Sequence, residues 1–133
     1  MNLVIVISLS LVLPHRTQIV YMTDISFVST MLNLEPGVKM LECGTGSGSF
    51  SHSAARTIMP TGHLYSFEYH EDRGTKASLE FNAHGLDMIT VECRDVCKVG
   101  FGLKSQVSAG TIIALTTRMI IITTILLSCS LFD

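Results

Sequence analysis

The sequence is poor in charge: 15% of its residues are Asp, Glu, Lys or Arg, where ordinary soluble domains carry about 25%. Nine Lys and Arg against eleven Asp and Glu leave a net charge of −2. No global basic field therefore points to nucleic acid, although a partner subunit or further segments would be able to supply a positive surface. Four cysteines occur, Cys43, Cys93, Cys97 and Cys129, and none forms a CxxC pair. Cys93 and Cys97 are four apart with no matching second pair, which argues against a zinc site. The four are read as reduced intracellular thiols, not as a disulfide framework. Tryptophan is absent altogether. No Lys or Arg precedes the apolar run 2–13, and no small-x-small cleavage site follows it. That argues against a signal peptide, and the run reads as a buried strand or an alternative N-terminus.

The apolar excess sits at the two ends of these 133 residues. Residues 111–132, TIIALTTRMIIITTILLSCSLF, run 22 positions with Arg118 as the single charge. The length would suit a spanning helix, but an Arg near the middle is costly there, and Thr, Ile and Ser favour strands as much as helices. The polar stretch Lys104 to Gly110 precedes it without pattern. Three readings stand: a tail unrelated to the domain before it, a membrane anchor, or a buried strand pair. The first is favoured, because no amphipathic period is visible that would pack onto a sheet. The chain thus divides into an apolar extension 1–12, a domain 13–103 and a divergent tail 104–133.

The middle alternates strands and helices. Thr23-Asp24 offers a helix N-cap, with Ile25, Val28, Met31 and Leu32 read as one apolar face. Glu35-Pro36-Gly37 stops that helix. Val38–Glu42 reads as a strand, Ser49 to Ile58 as a helix, His63–Glu68 as a strand, Glu71 to His84 as a helix closed by Gly85, and Met88–Cys93 as a third strand. This order predicts parallel strands with right-handed crossovers, the first half of a doubly wound α/β sheet of the Rossmann type. Ligands of such sheets lie over the carboxyl ends of the strands, where Gly44–Ser49, Glu68 and Asp95 should converge.

The turn after the first strand carries the chemistry. It reads Glu42-Cys43-Gly44-Thr45-Gly46-Ser47-Gly48-Ser49. Glycines alternating with small hydroxyl residues let a ligand approach the backbone, and the N–H groups at the helix start suit a ribose, carboxylate or phosphate. Glu68 follows Gly48 by 20 positions, where a ribose-hydroxyl acceptor belongs. A dinucleotide site uses G-x-G-x-x-G, whereas here an acid precedes G-x-G-x-G. Glu42 would repel a pyrophosphate and attract the positive methionine portion of S-adenosyl-L-methionine. The pattern therefore favours S-adenosylmethionine over NAD. Asp95 would accept from an adenine amino group, and the Val96 N–H would donate to a ring nitrogen. Arg73 reads equally as a ligand or as a salt-bridge partner. His52, His63, His70 and His84 are read as solvated or packed, and no metal site is expected.

Three segments together resemble one family: Leu13-Pro14-His15-Arg16-Thr17-Gln18-Ile19-Val20-Tyr21-Met22-Thr23-Asp24, Glu42 to His52, and Pro60 to His70. Asp95-Val96-Cys97 and Gly100-Phe101-Gly102 add to it. The chain resembles the catalytic subunit of eukaryotic tRNA (adenine-58-N1)-methyltransferase from about Leu13 to Gly102, a class I S-adenosylmethionine-dependent fold. The resemblance implies that Gln18 to Met22, Tyr21 among them, line the cofactor pocket. It further implies that Glu42 to Ser49 hold the methionine part and ribose edge, that Glu68 takes the ribose hydroxyls beside Arg73, and that Asp95 and Val96 frame the adenine. It implies transfer of a methyl group to N1 of an adenine in the tRNA T loop, a heterotetramer with a related noncatalytic subunit, and a nuclear location. The family places an Asp after its fourth strand, in an Asp-x-Pro-x-Pro-Trp segment, to steady the adenine amino group. Here KSQVSAGTII follows Gly102, and that motif does not occur. The family's small N-terminal β domain has no counterpart in residues 1–12. The expectation is a half-sheet with a partial cofactor site and no catalytic Asp, inactive alone. The alternatives are a noncatalytic isoform that binds cofactor or partner subunit, and a membrane-tethered protein anchored through 111–132.

Overall fold

The computed structural model describes residues 22–102 and the backbone of two further strands at 112–116 and 121–123. The elements run α1 (Met22–Met31), β1 (Lys39–Cys43), α2 (Ser49–Ile58), β2 (His63–Glu68), α3 (Glu71–Ala83), β3 (Ile89–Cys93), a single turn α4 (Val96–Val99), β4 (Ile112–Thr116) and β5 (Ile121–Thr123). The strands form one sheet in the order β3-β2-β1-β4-β5. The first four run parallel, and β5 pairs antiparallel to β4.

Each crossover has a local cause. α2 is built largely from small residues, and Ser49, Ser51, Ser53, Ala54 and Ala55 are all buried, so the helix lies close on the sheet. Its end packs tightly: a Cβ added at Gly62 would stand 2.5 Å from the Ile58 carbonyl oxygen and 2.6 Å from that of Val38. α3 ends where Gly85 takes φ +67°, and Leu86 N–H donates back to the Phe81 carbonyl at 3.0 Å. The core gathers Met40, Leu64, Ala54, Ile58, Phe81 and Ile89, with Ile25, Val28 and Leu32 of the α1 segment closing one side.

Two sequence expectations are corrected. Met31 does not share the buried face of α1 but is 55% exposed. Six residues turn a helix through about 600°, which sets Met31 some 120° away from Ile25, while Val28 and Leu32 stay near it. The segment after Gly110 is neither a tail apart from the sheet nor a spanning helix where it is described. β4 lies beside β1 with Glu42 opposite Leu115 and Cys43 opposite Thr116. The missing amphipathic period is no argument against a strand: strands of parallel sheets commonly read as continuous apolar runs, and Ile112-Ile113-Ala114-Leu115 is such a run. β1, β2 and β3 form the βαβαβ half expected from sequence, and β4 and β5 extend it beyond β1 to a sheet of five strands. Among the described residues, no helix is long and apolar enough to cross a membrane.

Candidate functional site

The parallel register brings the carboxyl ends of β1, β2 and β3 to one edge of the molecule. Cys43 lies opposite Phe67, and Glu68 opposite Cys93. The Gly44 N–H donates to the Phe67 carbonyl at 2.7 Å, and the Arg94 N–H to the Glu68 carbonyl at 3.0 Å. The glycine turn, Glu68 and Asp95 are therefore neighbours, as the sequence predicts.

The turn is left-handed at its glycines, with φ of +94° at Gly44, +57° at Gly46 and +77° at Gly48. Gly48 occupies the N-cap position of α2 without a side-chain cap. An added Cβ there would stand 2.9 Å from the Phe81 ring. The Thr45 hydroxyl lies 2.7 Å from that of Ser66, which ties the turn to β2.

Glu42 is fully buried beneath this turn. Its Oε2 accepts from the Ser51 hydroxyl at 2.6 Å and from the Ser66 hydroxyl at 2.7 Å. Its Oε1 has no hydrogen-bond partner. Burial pushes the carboxyl up to about 7; the two hydroxyls oppose this and the charge of Glu68 adds to it. A ligand above the turn meets the field of Glu42, not its oxygen atoms.

Glu68 has the opposite environment. Its Oε2 accepts from the Gly46 N–H at 3.1 Å, and its Oε1 from the His70 N–H at 3.1 Å and from Arg73 Nη2 at 2.8 Å. Burial alone would raise the carboxyl, but these donors and the Arg73 charge outweigh it and hold it below the ordinary carboxylate value. Three of its roughly four acceptor sites are used, which leaves room for one hydroxyl. Arg73 forms the ion pair that one of its two readings expects, and so braces Glu68. Glu68→Gln is expected to cost about 1–3 kcal/mol of stability, since it leaves Arg73 without its counter-charge. The contribution of Glu68 is present above the unfolded carboxylate value and is lost as pH falls through the lower folded one. Urea unfolding of both proteins at pH 7 and at pH 3.5 should show the gap between them closing in acid.

Asp95 stands at the N-cap position of α4, where its side chain makes no cap and meets Lys98 Nζ at 3.4 Å. Val96 opens that turn. Phe101 folds back so that its ring meets Phe67 edge-on, with centroids 5.4 Å apart. Ser47 and Ser49 are buried in the turn and the first residue of α2. Gln18 and Tyr21, also expected at this site, lie outside the described residues.

Sequence reasoning missed Ser51, Ser66, His52 and His84. The signal for Ser66 is a lone small hydroxyl between Tyr65 and Phe67 on the face shared by Leu64 and Glu68, since a buried polar group needs a partner. His52, 1% exposed, sets Nδ1 2.7 Å from the Gly48 carbonyl and Nε2 2.7 Å from Nδ1 of His84. Burial lowers the His52 pKa and its bond to Gly48 partly restores it, so the neutral ring donates to Gly48 through Nδ1 and accepts from His84. A shallow cleft of about 340 Å³ lies elsewhere, between α3 and β3, lined by Gly74, Ser78, Leu79 and Val91 among others. It holds none of the glycine-turn N–H groups, so the turn remains the candidate site.

Comparisons with known proteins identify the family. The model of the family described as tRNA methyltransferase complex GCD14 subunit matches residues 8–115. The match runs into β4, beyond the Leu13 to Gly102 span seen in the sequence. The tRNA (adenine(58)-N(1))-methyltransferase catalytic subunit TRM61 of Candida albicans is 44% identical over 106 residues, 80% of this chain and 32% of that protein. Its Candida glabrata counterpart is 52% identical over 97 residues, 71% of this chain and 25% of that protein. The chain thus spans about a quarter to a third of these relatives. Among solved structures, a SAM-dependent O-methyltransferase from Thermotoga maritima is 32% identical with a TM-score of 0.59, covering 62% of this chain and 32% of that one. The tRNA (m1A58) methyltransferase TrmI from Aquifex aeolicus, 23% identical, shares the fold with a TM-score of 0.64 over 84% of this chain and 42% of that one. The fold is a Rossmann-like methyltransferase fold, and the chain belongs to the tRNA methyltransferase complex GCD14 subunit family.

Proposed function

We propose that these 133 residues form the S-adenosyl-L-methionine-binding part of a tRNA adenine-N1 methyltransferase catalytic subunit. The observation that carries this is the acid–glycine turn over parallel strand ends, with Glu68 beside it, in a chain of this family. The residues fit the cofactor. The turn offers backbone N–H groups at the start of α2, Glu68 keeps one acceptor site for a ribose hydroxyl, and Asp95 and Val96 begin a turn just after the end of β3. Among the described residues Glu42 forms no ion pair, so its field would favour a positively charged ligand above the turn. The cofactor would supply an activated methyl group.

The substrate reading follows the relatives: an adenine of the tRNA T loop, flipped from its stack so that N1 reaches the methyl carbon. A noncatalytic partner subunit, in a heterotetramer, would supply much of the tRNA surface, in keeping with a net charge of −2 here, and the complex would act in the nucleus. The chain's own residues hold and orient the cofactor. The acceptor for the adenine 6-amino group is not among them, because no Asp or Glu occurs between Asp95 and Asp133. β4 ends at Thr116, and Thr117-Arg118 follow. That absence favours a second reading for these residues by themselves, a cofactor- or partner-binding module without turnover.

The test is to incubate the purified chain with S-adenosylmethionine and tRNA, and to measure both cofactor binding by calorimetry and N1-methyladenosine by mass spectrometry. Binding without methylation is expected. Loss of binding on Gly46→Val would locate it at the turn. No binding by the parent chain would sink the cofactor reading, and methylation by the chain alone would sink the claim that the catalytic acceptor lies elsewhere.

A further inference from the structure

Two acids sit on adjacent strands beside the glycine turn, and the fold treats them differently. Glu68 is given Arg73 at 2.8 Å. Glu42 is given only the neutral hydroxyls of Ser51 and Ser66, and its Oε1 has no partner. A buried carboxylate without a counter-charge is unfavourable. Among the described residues no ion pair joins Glu42, so its field favours a positively charged ligand.

S-Adenosylmethionine and its demethylated product share an α-ammonium group and a carboxylate. They differ in charge at sulfur. On transfer, the S–CH3 bond breaks with its electron pair left on sulfur, and the lone pair of the acceptor nitrogen forms the new N–CH3 bond. The positive charge leaves with the methyl group. We infer that Glu42 is a specificity-determining residue that distinguishes the sulfonium cofactor from the neutral thioether product through its buried charge, without touching either. This inference rests on the cofactor reading above.

The discrimination has a pH signature. Ionised Glu42 attracts the sulfonium, and protonated Glu42 does not. Among the described residues, the groups that face it are Ser51 of α2 and Ser66 and Glu68 of β2, while β4 opposes it with Leu115 and has no titratable residue along its length. Glu68 stays ionised from neutral pH upward, because its carboxyl is held below the ordinary value. Glu42, poised at about 7, is the facing group that changes charge in that range. After transfer it loses its counter-charge and takes a proton from solvent, which weakens the hold on product relative to cofactor.

The experiment is isothermal titration of the full chain with S-adenosylmethionine and with S-adenosylhomocysteine, each at pH 6, 7 and 8.5. The ratio of the two dissociation constants should move toward the sulfonium ligand by roughly fivefold as pH rises, the size of a unit-charge attraction over about a nanometre at an effective dielectric near 30. Glu42→Gln should leave the ratio flat. Ser51→Ala, which removes one hydroxyl donor from Glu42, should shift the rise to higher pH and covers the case in which the Gln variant does not fold. A flat ratio in the parent chain, or an equal rise in Glu42→Gln, overturns the inference while the cofactor reading survives. Failure of the parent chain to bind either ligand overturns both.

Discussion

Gly48→Ala is expected to lower the free energy of unfolding by about 3 kcal/mol, measured by urea titration. Two costs combine. A residue with a Cβ at φ +77° sits in the left-handed region, at about 1–2 kcal/mol. The new methyl would also stand 2.9 Å from the Phe81 ring. That ring is 1% exposed and packed edge-on against His52, so it yields only by disturbing the core, at about 1–3 kcal/mol. The parts are separable. Phe81→Leu removes the ring atoms in the way, so the double variant should recover part of the crowding cost and none of the backbone cost. A double-mutant cycle without coupling would show that the ring is not what Gly48 accommodates. For a domain whose whole stability is of order 10 kcal/mol, the single substitution is a large loss.

The second large effect depends on pH. Burial holds the Glu42 carboxyl at about 7 in the folded chain, against an ordinary value of 4.5. The folded chain therefore binds more protons than the unfolded one between these limits, and stability falls as pH rises through them. The full swing for one such group is about 3 kcal/mol. His52 and His63 act in the other direction, because burial lowers both and the folded chain resists their charging in acid. The parent chain alone therefore gives a mixed profile. The informative quantity is the difference between parent and Glu42→Gln, since both histidines remain in each. That difference should shift in favour of the variant by about 3 kcal/mol between pH 4.5 and pH 8. A constant difference across the range would mean that Glu42 is ionised in the fold at all these values, and would remove the basis for its buried charge acting as a sensor.

Much of this arrangement is legible in the sequence because its causes are local. Pro60-Thr61-Gly62 and Gly85 punctuate the chain where helices end, and the acid–glycine turn lies between a strand and a helix whose bounds at Ser49 and Ile58 match the expectation. What stays illegible depends on partners distant in sequence. β4 reaches β1 across a segment with no pattern of its own, and its apolar run is equally compatible with a strand, a span or a stray tail. That Arg73 braces Glu68 and that Ser66 bridges Glu42 to Thr45 depends on strand register, which a single strand does not encode. Met31 illustrates another kind of miss: an apolar residue near an apolar face is counted in until its angle is worked out.

His84 lies on the outer surface, at the end of α3, and by exposure alone it would pass as interchangeable. Its ring nevertheless grips His52, and His52 grips the Gly48 carbonyl. Two hydrogen bonds thus run from solvent to the floor of the glycine turn. A position on the outside of the molecule thereby belongs to the support of the turn, and a substitution there removes the second bond of that chain.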